Sequence, residues 1–151
     1  MYLIHYIRLA HEANGELCGA WTRLAQGHSD ELDLRVLAQK FADASGAHAE
    51  QLAAFTRNDI EVTEPTQEFS AESFRGTRTG NVGLLRDLHE IYLMITECDL
   101  VWTLLQVGAQ GTRDAELLEL SDIGLGESKT QLDWLRSRLR QAASQALVVA
   151  G

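Results

Sequence analysis

The sequence predicts an all-α protein, an antiparallel four-helix bundle, and three observations carry that prediction. Apolar residues recur at spacings of three and four through four long segments. The chain has one proline, Pro65, so no segment is broken from within. The breaks fall between the segments, at glycines and at residues able to cap a helix. A chain of 151 residues suits one domain with one core, over residues 1–151.

The first helix is expected over about residues 2–26, with Leu3, Ile7, Ala10, Asn14, Leu17, Trp21 and Leu24 on its stripe. Gly27-His28 ends it. Ser29 offers an N-cap for the second helix, about 29–57, where Asp30 and Glu31 suit the positive end of the dipole. Its stripe is Leu34, Leu37, Phe41, Ala44, His48, Leu52 and Phe55. From Asn58 to Gly80 no period is sustained, and Glu64-Pro65, Arg75-Gly76 and Thr79-Gly80 are turn signals. A short helical turn is expected around Ser70 to Phe74. Asn81 is the expected cap of the third helix, about 82–108, built on Leu84, Leu88, Ile91, Ile95, Cys98, Trp102 and Leu105 and ended by Gly108 and Gly111. Thr112 is the expected cap of the fourth, about 113–143, and the chain after Ala143 is expected to be loose.

Connection lengths constrain topology. Helices one and two are joined tightly, as are three and four, so each pair reads as an antiparallel hairpin. About 20 residues of extended chain, at roughly 3.3 Å each, can cross a helix roughly 39 Å long. A crossover of that kind makes helices two and three parallel. A local return of the same segment is the alternative.

Composition narrows function. Lys and Arg number 13 against 22 Asp and Glu, for a net charge of −9. That surplus argues against binding nucleic acid or anionic lipid, which need cations. No stretch reads as apolar enough to span a membrane, and the N-terminus lacks the basic-then-apolar order of a signal peptide. Cys18 and Cys98 fall on helical apolar stripes, as buried reduced thiols do. A cytoplasmic location is expected.

Helices in a bundle place chemistry on their inward faces, so the polar residues there are the candidates. At roughly 100° per residue, Asn14 lies at the centre of the first stripe with His11 and Cys18 at its edge. On the second helix His48 is central, with Ser45 beside it. Asp99 and Gln106 face in from the third, and Ser121, Ser128 and Gln131 from the fourth. A parallel second and third helix would bring His11, His48 and Asp99 to one height, near Gly124. His11, Asn14, Ser45, His48 and Asp99 form the candidate core cluster. His11, His48 and Asp99 could hold a single Fe, Mn or Zn ion.

Two helical hairpins with a long connection resemble the ferritin-like superfamily. The resemblance covers most of the chain and is architectural. Its di-iron members supply a Glu from each of two helices and Glu-x-x-His from each of the other two. Here the corresponding positions read Ser45-x-x-His48 and Ser128-x-x-Gln131, with His11 or Glu12 and Thr96 or Asp99 on the other helices. Both motif glutamates are serines, and neutral hydroxyls leave a di-iron charge uncompensated. The resemblance therefore implies a ferritin-like bundle without the di-iron site, and no cofactor.

Two further features bear on function. Arg75, Arg78 and Arg86 surround the start of the third helix and could hold an anion on its free N–H groups. They could equally pair with surface carboxylates. Leu93, Leu100 and Leu104 lie on the third helix opposite its stripe, as a homodimer interface would, or under a covering crossover. The leading expectation is a non-catalytic binding or accessory protein, a homodimer through the third helix or bound to another protein. The alternatives are a metal-dependent redox enzyme and an anion or small-molecule sensor.

Overall fold

The structure is a computed structural model, and it describes residues 2–57 and 76–149. The described residues form four α-helices and no strand: α1 (Leu3–Gly27), α2 (Leu32–Ala54), α3 (Gly80–Thr112) and α4 (Ala115–Ser144). A π-helical turn follows at Gln145–Val149. The all-α expectation holds. The helical turn expected around Ser70 to Phe74 and the Glu64-Pro65 turn lie outside the described residues.

The helix ends differ from expectation for local reasons. Asp114, not Thr112, caps α4, its Oδ1 accepting from the Leu117 N–H at 3.1 Å. The Thr112 hydroxyl instead donates back to the Gly108 carbonyl at 3.0 Å. Helix α3 runs past Gly108 and Gly111 and stops at Arg113, which turns the chain left-handed at φ 56°. Gly108 is a close approach rather than a terminator: a Cβ there would lie 2.6 Å from Leu3 Cδ1. Neither Ser29 nor Asn81 caps a helix. Glu31 and Thr79 stand at those starts, without a side-chain cap bond. Ser144 closes α4 and Gln145–Val149 form the π-helical turn, with Ala146 buried, where a loose chain was expected.

One core runs through the bundle. Trp21, Leu24, Leu34, Leu52, Leu88, Ile91, Ile95, Trp102, Leu105, Leu117 and Leu135 are fully enclosed. Trp21, Phe41 and Trp134 tie α1, α2 and α4, with the Trp21 and Phe41 rings 5.1 Å apart and Phe41 edge-on to Trp134 at 5.8 Å. Helix α1 packs along α2, α3 along α4, α1 against α3, and α2 approaches α4. Contacts at the helix ends fix which end meets which. Leu3 at the start of α1 abuts Gly108 near the end of α3. His28, capping the end of α1, meets Asp87 near the start of α3 at 2.8 Å. Arg138 near the end of α4 reaches Glu31 and Asp33 at the start of α2.

Helix α3 corrects one expectation. It is long and apolar enough to cross a membrane by length and composition alone. The reason is that it is apolar on both sides. One side enters the core, and the other carries the exposed Leu93, Leu100, Leu104 and Val107.

Candidate functional site

The polar residues assigned to the bundle interior mostly arrive there. Asn14, Ser45, His48, Ser121, Ser128 and Gln131 are all buried. Asn14, Ser121 and Gln131 find partners inside the bundle. Asn14 Nδ2 donates to the Ala10 carbonyl at 2.8 Å, and the Ser121 hydroxyl donates to the Leu117 carbonyl at 2.8 Å. Trp21 Nε1 donates to Gln131 Oε1 at 3.2 Å. His48 is different. Its ring stands edge-on to Trp102 at 5.7 Å, and neither ring nitrogen has a hydrogen-bond partner among the described residues. Burial pushes its pKa below the usual 6.5. The Gln51 side chain and the Glu127 carboxylate pull the other way without closing a hydrogen bond to the ring. Gly124 is glycine because the Trp102 indole occupies the space a Cβ would need.

The remaining candidates do not join His48 in one metal centre. His11 is half-buried, with Nδ1 held by the Ala49 carbonyl at 2.8 Å. Asp99 lines a groove between α3 and α4 with Tyr92, Lys129, Asp133 and Arg136. Burial raises its pKa from the usual carboxylate value. Among the described residues no three His, Cys, Asp or Glu side chains come together as a metal site. Rotation about the helix axis was read well for His48 and a step too far inward for Asp99. The same correction applies to Gln106, which bonds Asp122 at 2.7 Å in an exposed position. Cys18 and Cys98 are both free thiols, and burial together with the Asp99 and Glu97 charges pushes Cys98 up to about 12.

The arginine site loses its central cation. Arg78 donates through Nη1 to Asp87 Oδ1 at 2.8 Å and through Nη2 to Glu90 Oε1 at 2.7 Å. Its backbone N–H also donates to Asp87 Oδ2, at 2.9 Å. Asp87 is fully buried and accepts from His28 as well. Gly83 lets this strap lie flat on α3, since a Cβ there would sit 2.8 Å from Arg78 Cβ. Arg86 is exposed, and Arg75 lies outside the described residues. Sequence reasoning missed this buried network. The available signal was Asp87 itself, a charge placed between Leu84, Leu88 and Ile91 on the α3 stripe. Arg138 forms a second anchor, 2.9 Å from Asp33 and 3.1 Å from Glu31.

The outward face of α3 is the third candidate. Leu93, Leu100 and Val107 recur every seven residues and are more than half exposed, at 57%, 58% and 61%, with Leu104 beside them at 43%. Thr96 and Thr103 share this side of the helix. Their hydroxyls donate to the Tyr92 and Asp99 carbonyls, at 2.9 Å each. Those hydroxyl protons are therefore used within the helix. Between Ile91 and Thr112 the only charged residues are Glu97 and Asp99, and burial raises the pKa of both.

No family model matches the chain, and neither a curated protein nor a solved structure matches it significantly.

Proposed function

We propose that this chain is a non-catalytic helical bundle that works as an interaction or accessory module through the outward face of α3. The carrying observation is the apolar seam of Leu93, Leu100, Leu104 and Val107 on a helix whose opposite side is already committed to the core. A monomer rarely leaves such a seam to water unless something binds it. A scaffold reading is supported by the inward Asn14, Ser121 and Gln131, which are turned to backbone carbonyls or to Trp21.

The arrangement we assign is antiparallel and ferritin-like. Three contacts support it: Leu3 with Gly108, His28 with Asp87, and Arg138 with Glu31 and Asp33. Each pairs the start of one helix with the end of its neighbour. The His11–Ala49 bond sets the later part of α2 beside the earlier part of α1, so α2 and α3 run the same way in this reading. Such a frame holds α3 along its full length and leaves one side of it for a partner.

The test is the size of the chain in fresh extract of cells making it. Wild type is expected to run larger than a monomer, and Leu100→Asp with Leu104→Asp to run as a monomer with unchanged helicity. A wild-type chain that runs as a monomer, or a double variant that keeps its size, overturns the assignment.

A further inference from the structure

We infer that the partner of the α3 face is a second copy of the same chain, packed antiparallel across a two-fold axis at Leu100. This rests on the interaction reading above and names its partner. The seam has the heptad spacing of a helix pair, with Leu93, Leu100 and Val107 at one position and Leu104 at the next. Leu93 and Val107 also lie at equal distances on either side of Leu100 along the sequence, and Leu104 is mirrored by Thr96. Antiparallel pairing sets Leu93 against Val107, Leu104 against Thr96, and Leu100 against itself. A two-fold interface needs this self-complementarity, in which each contact occurs twice.

Charge selects the direction. In the antiparallel register Glu97 faces Thr103, a hydroxyl, and Arg86 comes to the end of the partner α3. There the guanidinium also meets the negative end of the helix dipole. A parallel register would stack Glu97 on Glu97 and Arg86 on Arg86, with like charges opposed at both sites. The four apolar side chains expose roughly 400 Å², a size at which a patch on a monomer is commonly functional. A standard interface takes about 800 Å² from each partner. Thr96, Thr103 and the Arg86 ends of the two helices extend the seam toward that area. A lipid surface suits the face less well, because only one side of α3 is free and the chain carries a net charge of −9.

The experiment uses the purified full chain in two arms. In the first, sedimentation is expected to give a concentration-dependent dimer. Leu100→Asp should weaken it by more than about thirtyfold, as loss of a central anchor does. In the second, Leu93→Cys and Val107→Cys are made separately in a Cys18→Ser background and oxidised mildly. Mixed together they are expected to form a disulfide-linked pair, and each alone is expected to form none. Leu100→Cys alone should link to itself. Cross-linking of Leu93→Cys with itself overturns the antiparallel register. A purified wild type that stays monomeric at all concentrations overturns the second copy as partner. If that monomer still runs large in extract through the same face, a different protein is the partner and the interaction reading stands. Flotation of the purified monomer with phosphatidylcholine vesicles, lost in Leu100→Asp, would assign the face to lipid instead.

Discussion

His28 donates its Nε2–H to Oδ2 of Asp87 at 2.8 Å, joining the cap of α1 to the first turns of α3 inside the protein. Arg78 donates to both oxygens of the same carboxylate, so Asp87 acts as an ionised acceptor and the His28 proton sits on Nε2. Helix α3, which carries the interaction seam, is thus pinned near its start by one buried charge. Arg138 does the equivalent for α2 and α4.

Removing that charge should be costly. Asp87→Ala leaves His28 Nε2, the Arg78 backbone N–H and Arg78 Nη1 without their acceptor, while Arg78 Nη2 keeps Glu90, and breaking a buried pair from one side costs about 3–5 kcal/mol. His28→Ala leaves Asp87 its Arg78 bonds and should cost less, about 1–3 kcal/mol. Urea unfolding of both variants checks the order. An Asp87→Ala chain as stable as wild type would mean that the network adds nothing to the fold.

His48 predicts a pH dependence with a definite sign. Its folded pKa lies below the unfolded 6.5, so the unfolded chain binds the extra proton. Stability is therefore full above the unfolded pKa and falls as pH drops from about 6.5 toward the folded value. Glu97 and Asp99, with raised pKa values, act in the opposite sense but only nearer the carboxylate range. In His48→Leu the slope between about pH 7.5 and 5.5 should flatten. At pH 8 this variant should be neutral to about 2 kcal/mol more stable, because an unpartnered buried imidazole is removed. A loss exceeding about 1 kcal/mol at pH 8 would show that the ring nitrogens are satisfied in solution.

The sequence pattern made some of this visible and hid the rest for identifiable reasons. Helical periodicity gives an angle around each axis, and it placed Asn14, Ser45, His48, Ser121, Ser128 and Gln131 inside. It also put Leu93, Leu100 and Leu104 outside, where they are. Periodicity gives neither height along a neighbouring helix nor which neighbour a residue meets. A small angular error moved Asp99 from the core to the α3–α4 groove. Asp87 stands out as a charge on the α3 stripe, but its partners, 59 and 9 residues away, are not legible, because only the assembled bundle makes them adjacent. Gly108 and Gly111 read as stops, because a sequence does not distinguish a glycine that ends a helix from one that admits a side chain such as Leu3.

The two cysteines should differ in reactivity. Cys98 is buried, and its thiol is pushed up to about 12, so almost none is thiolate at pH 8. Cys18 is only half-buried. Iodoacetamide at pH 8 should modify Cys18 first and reach Cys98 at the rate of unfolding. Equal rates in native buffer, resolved by peptide mass spectrometry, would mean that α3 opens without global unfolding.

Two glycines in α4 separate close packing from mere tolerance. Gly126 has nothing within 4 Å of where a Cβ would be, so its glycine serves no contact. Gly126→Ala should stabilise the protein by about 0.5–1 kcal/mol, because alanine has the higher helix propensity. Gly124 sits against the buried Trp102 indole, which cannot move freely with His48 edge-on to it. Gly124→Ala gains the same propensity but overpacks the core, and should destabilise by about 1–3 kcal/mol. Trp102→Phe made together with Gly124→Ala should recover part of that loss, since a smaller ring frees space for the methyl group, whereas Trp102→Phe alone should leave a cavity. The sign of the coupling between the two substitutions, read from a double-mutant cycle in urea, decides the matter. Additive effects would mean that Trp102 does not need the glycine, and the tight α3–α4 approach at this level would need another cause.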